Sequence, residues 1–130
     1  MSHIVYVKTT FKDVAALREA CTELGVELES DGLIRGFGRT LTHADLRIRL
    51  LSEIYDLGFV RESDGNYCLV GDDMLLTGAF GYESKVLGKA CNLLRQQYSL
   101  SLLKREAARK GMMFRFEKVD KQLRVTMSKI

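Results

Sequence analysis

The sequence predicts an α+β fold in which two helices cover one face of an antiparallel sheet. Three observations support it: a long helical stretch with one apolar stripe, a shorter helical pattern near the start, and alternating segments joined by short turns. Strands that follow one another through short turns pair antiparallel, and striped helices need a sheet face to cover. The plan is two-layered and only distantly ferredoxin-like, because a strict β-α-β-β-α-β order leaves strands over.

The longest helical pattern runs from Glu83 to Lys110, and the rest of the chain is predicted to pack around it. It contains no Pro and only one Gly, Gly88. Its apolar residues recur every three or four positions, as one buried stripe of a helix requires: Leu87, Ala90, Cys91, Leu94, Tyr98 and Leu102. Gly111 then ends the helix as a left-handed cap.

The N-terminal segment predicts a strand followed by a helix. β-Branched residues favour a strand from His3 to Thr9. Thr10 is expected to cap the helix, and Gly25 is expected to end it. The helix carries an apolar stripe of Val14, Leu17, Ala20, Cys21 and Leu24.

Strand patterns fill the middle of the chain. A short strand is predicted at Val26 to Glu29, followed by a turn at Ser30-Asp31-Gly32. The segment from Leu33 to Thr40 follows with Gly36 and Gly38, and glycines in or beside strands mark bulges or close backbone approach. The glycines here lack the Lys-Ser/Thr pair and the helix start that a phosphate loop needs, so a phosphate loop is rejected. Strict alternation from Ala44 to Leu50 predicts a half-buried strand with a charged outer face.

Two hairpins are predicted from alternating runs that flank turn residues. The first joins Leu57 to Glu62 with Tyr67 to Gly71 through a turn containing Asp-Gly. The second follows the long helix and joins Met112 to Lys118 with Leu123 to Met127 through Asp120-Lys121.

Length and composition predict one soluble globular domain over residues 1–130. The chain is 46% hydrophobic and 28% charged, ordinary values for such a domain. No apolar run approaches the roughly 18 residues of a membrane helix, so no membrane partner and a cytoplasmic location are expected. Cys21, Cys68 and Cys91 are an odd number without a C-x-x-C pair, which predicts buried reduced thiols.

The charges are divided unevenly along the chain. From Lys85 onward there are twelve Lys and Arg against three acids, a local balance of +9, whereas the residues before it hold eight bases and fourteen acids, −6. Clustered cations of this kind bind nucleic acid or acidic protein, because they release counterions on binding. The alternative is that the acidic front half packs near the basic back half, in the same chain or in a second copy.

Short segments spread along the chain resemble one known family. They are Met1-Ser2-His3, Lys8-Thr9, Leu17 with Leu24-Gly25, Tyr55-Asp56-Leu57-Gly58-Phe59, Gln96-Gln97-Tyr98 and Ala107-Ala108-Arg109-Lys110-Gly111. Together they are similar to the hypothetical chloroplast reading frame thirty-five family, whose members come from plastids, cyanobacteria and phages. Phe80 to Cys91 departs from that family's pattern. The resemblance implies a domain of unknown function with no catalytic residues to carry over. It would lie in the host cytoplasm for a phage protein and in the stroma for a plastid protein.

The residue types do not assemble a catalytic or metal site. The histidines His3 and His43 lack the local spacing of zinc ligands, although a cluster with Asp72 and Asp73 is conceivable. Cys91 lies on the apolar stripe, where a core role is expected instead of a reactive thiol. We therefore expect no catalytic residues, no metal and no cofactor.

The sequence favours a non-catalytic binding protein that engages an acidic protein or a nucleic acid through its basic C-terminal helix and hairpin. A phage member would use this surface on a host component. Few aromatics interleave the cations, so contacts with backbone phosphate or an acidic protein are favoured over base stacking. The predicted contacts are Lys104, Arg105, Arg109, Lys110, Arg115, Lys118, Lys121 and Arg124.

A pocket for a small molecule or nucleotide, enzymatic or not, is the alternative. It would lie between the sheet and the connecting loop, with an arginine as anion anchor. Its predicted lining is Arg47, Arg49, Phe59, Tyr67, Phe80 and Tyr82. Homo-oligomer assembly through a sheet edge or the long helix is compatible with either function.

Overall fold

A computed structural model describes residues 3–36, 38, 40–120 and 122–129. The helices in this part of the chain are α1 (Val14–Glu23), α2 (Asp73–Thr77) and α3 (Asn92–Arg109). The strands are β1 (Ile4–Val7), β2 (Leu28–Arg35), β3 (Leu41–Ile48), β4 (Leu57–Arg61), β5 (Tyr67–Asp72), β6 (Met112–Val119) and β7 (Gln122–Lys129). Short 3₁₀ turns lie at Ala79–Gly81 and Lys89–Cys91.

The main sheet has five strands in the order β1-β5-β4-β3-β2, and each neighbouring pair is antiparallel. Strands β2 to β5 follow one another through the sheet, and β1 pairs with β5 at one edge. Strands β6 and β7 form a separate two-stranded antiparallel sheet. The prediction of an α+β fold with an antiparallel sheet is confirmed.

The main core lies between one face of the sheet and the helices. From the sheet it takes Leu46, Ile48, Leu57, Phe59 and Leu69, and from α1 and α3 it takes Ala16, Leu17, Ala20, Cys21, Leu94 and Tyr98. All of these helix residues except Ala16 are stripe positions that the helical spacing predicts. Leu102, which was predicted for the α3 stripe, is instead exposed.

Tyr98 ties α3 to the start of α1. Its ring packs edge-on against Phe11 with a centroid separation of 4.5 Å. Its hydroxyl accepts hydrogen bonds from the backbone N–H groups of Lys12 and Asp13, each at 3.0 Å. The two helices are therefore fixed to each other by packing and by hydrogen bonds.

The β2–β3 hairpin belongs to the sheet where Leu46 to Ile48 pair with β4, and its far end folds over the face opposite the main core. Ile34 and Ala44 from this hairpin form a second, fully buried cluster with Val70, which alternates with Leu69 along β5 and so points away from the main core. Arg35, at the end of β2, reaches across to Asp56 just before β4. Asp31 adopts φ 52° between the pairs Ser30–Leu46 and Gly32–Ala44, where the hairpin changes direction.

The predicted turn at Ser30-Asp31-Gly32 is wrong, because β2 runs through it without a break. The predicted cap of α1 is also wrong. Asp13, not Thr10, is the N-cap, and its side chain accepts the Ala16 N–H at 3.0 Å. A carboxylate at this position also favours the positive end of the helix dipole.

The long helix begins at Asn92 instead of Glu83, which corrects the prediction by nine residues. Gly88, Ala90 and Cys91 all have positive φ angles, so the backbone cannot continue a right-handed helix through them. Leu87 and Cys91 are nevertheless fully buried, so the apolar positions were identified although the helix start was not.

Candidate functional site

The basic residues of the C-terminal part lie on the exposed end of α3 and on the β6–β7 hairpin, which we call the arm (Met112–Lys129). Seven of the eight predicted contact residues are exposed: Lys104, Arg105, Arg109, Lys110, Arg115, Lys118 and Arg124. The eighth, Lys121, lies outside the described residues.

Some of these cations have acidic neighbours. Arg105 contacts Glu19 of α1 at 3.0 Å. Arg109 and Lys110 both contact Glu106. Hydrogen bonds, chiefly from Arg109 and also from Lys110, hold the pKa of Glu106 below its usual value. These pairs lie at the surface, where ion pairs are weak and cations stay open to other anions.

On the arm, Arg124 contacts Glu117 at 3.4 Å, with 67% of the arginine side chain exposed. Within the described residues Lys104, Arg115 and Lys118 make no ion pair. Of the seven described cations, only Arg105 pairs with an acid of the front half. Most of the basic set therefore faces water and not the acidic front half.

The arm has two faces of different character, because side chains alternate along each strand and paired residues share a face. Its apolar face carries Met112, Phe114, Phe116, Leu123, Val125 and Met127, with Lys118 and Lys129 at the ends. Its polar face carries Arg115, Glu117, Arg124, Thr126, Gln122 and Ser128, together with Met113 and Val119.

A cleft of about 100 Å³ separates the apolar face of the arm from α1 and α3. Phe114 and Phe116 form its arm side, and Leu100 lies on the α3 side. Glu19 and Glu23 of α1 give it an acidic rim, and its remaining lining is Gln97, Ser101 and Lys104. This cleft could not be predicted from the sequence, because its walls come from three separate segments.

The residues of the alternative ligand pocket are not brought together. Phe59 and Tyr67 are buried in the main core, whereas Phe80 is 85% exposed. Tyr82 packs edge-on against Tyr55, and its hydroxyl donates to Glu53 at 3.0 Å.

The two arginines of that pocket have an acidic neighbour. Arg47 and Arg49 both contact Glu29, at 2.8 and 3.0 Å. Arg49 also lines an open groove of about 390 Å³ with Glu27 and Glu29. This groove places two acids against one arginine, which disfavours an anionic ligand.

A buried carboxylate paired with a partly exposed arginine was not predicted from the sequence. Asp56 is 1% exposed and contacts Arg35 at 2.7 Å, although the two residues lie far apart in the chain. Burial raises the pKa of Asp56, but hydrogen bonds from Arg35 and from the Leu50 N–H more than offset that effect and leave it below its usual value. The only sequence signal is an acid between the apolar residues Tyr55 and Leu57.

The described residues contain no group of three His, Cys, Asp or Glu side chains that could hold a metal ion. The cysteines are free and buried, and burial raises the pKa of both Cys21 and Cys91 to about 12. Thiols with such pKa values are protonated at neutral pH and are poor nucleophiles. No helix in the described ranges is long and apolar enough to cross a membrane.

Comparison with known families assigns most of the chain. A family model described as "Protein of unknown function (DUF1257)" matches residues 20–127. The chain belongs to this family. The DUF1257 match includes the main sheet from β2 to β5, α3 and most of the arm, and it agrees with the predicted membership of an uncharacterised family. The plastid, cyanobacterial and phage settings stay predictions. No curated protein and no solved structure matches the chain.

Proposed function

We propose that this DUF1257 protein is a non-catalytic binding protein that engages an acidic macromolecule, protein or nucleic acid. The contact surface is the end of α3 together with the polar face of the arm. One observation carries the proposal: the described cations of this surface are exposed, and no described residue of the arm belongs to either hydrophobic core cluster. The arm is thus free to bind a partner without disturbing the core.

The charge pattern supports electrostatic binding of moderate strength. Arg115 on the polar face of the arm and Lys104 on α3 are without ion pairs among the described residues, whereas Glu106 and Glu117 partly neutralise their neighbours. A polyanion releases counterions when it contacts such a surface, so affinity should fall as salt is added. In a phage setting the partner would be a host component.

The test is binding measured by fluorescence anisotropy with three probes: duplex DNA, single-stranded RNA and polyglutamate. Affinity for at least one probe should fall steeply between about 50 and 200 mM salt. The variant Arg115→Gln with Arg124→Gln should weaken that binding about tenfold and reduce the slope of log K against log salt by about 2. Preference for polyglutamate over the nucleic acids would identify the partner class as acidic protein.

The matched control removes two exposed cations of the front half, Lys8→Gln with Lys12→Gln. This variant changes net charge equally but leaves the proposed surface intact, so its affinity should stay near that of the wild type. Binding that is insensitive to salt, or that weakens equally in both variants, would exclude the proposed surface.

A further inference from the structure

The apolar face of the arm is incompletely covered within the chain. Phe116 is 53% exposed and Met127 is 37% exposed, although both belong to this face. A two-stranded hairpin is at best marginally stable in water unless its apolar face packs on something. The helices approach this face near Phe114 and leave the cleft described above.

We propose that a second copy of this chain covers that face, so that two arms pack face to face about a twofold axis. In a twofold contact the same surface meets itself, and each residue contact occurs twice. The apolar face is suited to this, because its apolar side chains run along the length of both strands between Lys118 and Lys129. If the two arms run in opposite directions, the tip of each arm lies over the base of the other.

Charge complementarity supports both the opposite direction of the two arms and a second copy of the chain as the partner. The tip of the apolar face carries Lys118, and the cleft at the base carries Glu19 and Glu23. Glu19 already pairs with Arg105, but Glu23 has no ion pair among the described residues. Twofold symmetry would therefore place Lys118 of one copy beside Glu23 of the other, twice per dimer.

The cleft offers a polyanion no net positive charge. Glu19 is already paired with Arg105, and the charge of Glu23 offsets that of Lys104, which also lines the cleft. The partner of the proposed function therefore binds on the polar face and the end of α3, and the dimer contact is independent of it. A dimer would present two copies of the basic surface.

Sedimentation velocity of the full chain over a range of concentrations tests the proposal. The wild type should be a dimer, and Phe116→Asp should weaken dimerisation at least about tenfold, because a central aromatic anchor is replaced by a charge. The matched control is Thr126→Asp, which adds the same charge to the polar face of the same arm and should remain dimeric. Far-UV circular dichroism should be unchanged in both variants, since both residues are exposed.

A charge exchange tests the arrangement of the arms. Lys118→Glu alone and Glu23→Lys alone should each weaken the dimer roughly fivefold through repulsion. The double variant should restore it, because the pair is re-formed with its signs reversed. A wild type that stays monomeric at high concentration overturns the dimer. A double variant no better than the singles overturns the antiparallel placement.

These outcomes are separable from those of the proposed function. Arg115→Gln with Arg124→Gln should remain dimeric while its polyanion binding weakens. A dimer that binds none of the three probes would exclude the proposed function and leave the dimer proposal standing. Salt-sensitive binding by a monomer would exclude the dimer and leave the proposed function standing.

Discussion

At the scale of single residues, the Asp56 carboxylate is buried and held by four hydrogen bonds. It accepts hydrogen bonds from the Arg35 backbone N–H, from Nε and Nη2 of Arg35, and from the Leu50 N–H, at 2.7 to 3.2 Å. These bonds join the end of β2 to the segments before β4. They hold the β2–β3 hairpin over the second face of the sheet.

Asp56→Asn should therefore destabilise the protein by about 2 kcal/mol, because it leaves Arg35 and several N–H groups without their anionic acceptor. The measurement is the free energy of unfolding from urea titration. Asp120→Asn is the control, since Asp120 is exposed and Asn tolerates its positive φ. Its effect should stay within about 0.5 kcal/mol.

The same carboxylate predicts a pH dependence. Because the pKa of Asp56 is lowered in the folded state, its contribution is complete above the unfolded value of about 3.9 and is lost as the pH falls through the lower folded value. The stability difference between wild type and Asp56→Asn should therefore shrink in acid. A difference that is constant from pH 7 down to about pH 2 would contradict this.

The neighbouring Gly58 has no room for a side chain. A Cβ atom there would lie 2.8 Å from Ala44 Cβ and 2.8 Å from Val70 Cγ1. Tyr55, Leu57 and Phe59 are buried in the main core. Each residue of the segment Tyr55-Asp56-Leu57-Gly58-Phe59 thus has a structural role, so the fold accounts for this part of the family resemblance.

At the scale of elements, the residues just before α3 have unusual backbone angles. Ala90 and Cys91 have φ angles of 52° and 59°, values that cost an alanine roughly 1 kcal/mol. Ala90→Gly should remove that strain, and the greater freedom of glycine in the unfolded chain should offset most of the gain. Stability should be unchanged or slightly higher.

Ala108→Gly is the matched control, because Ala108 is an exposed residue within α3. Glycine there should cost about 1 kcal/mol. Thermal unfolding of the two variants compares them directly. An Ala90→Gly variant as unstable as Ala108→Gly would mean that residue 90 is helical in solution.

The elements that the sequence predicts well are those specified by neighbouring residues. Both hairpins were found because turn residues and alternation are local signals. The start of α3 was missed because nothing in the types of Ala90 and Cys91 indicates positive φ. The fold of the β2–β3 hairpin was missed because it depends on distant contacts between Ile34, Ala44 and Val70.

The candidate site was also predictable only where local sequence patterns specify it. The exposure of the arm cations follows from alternation, which puts Arg115 and Arg124 on the face opposite Phe114 and Phe116. Alternation cannot show that the second face lacks cover, since that depends on where α1 and α3 lie. The aromatic pocket failed to assemble because Phe59 and Tyr67 contribute to the core, a role that sequence cannot distinguish from ligand binding.

At the scale of the whole molecule, the chain divides into a body and an arm. The body, up to Gly111, contains every residue of both hydrophobic core clusters, and every side chain of β5 is buried. The described residues of the arm that are partly buried lie at its base and along its apolar face. Folding stability and partner binding are therefore expected to reside in different parts of the chain.

A chain shortened to end at Gly111 should accordingly remain folded, with a cooperative urea transition and a loss of less than about 2 kcal/mol, because the removed side chains bury little apolar surface in the monomer. The same truncation should abolish both dimerisation and polyanion binding, since both proposed contacts need the arm. A broad, non-cooperative transition would show instead that the arm completes the core of the body. The charge division and the apolar face would then have to be explained by folding, not by recognition.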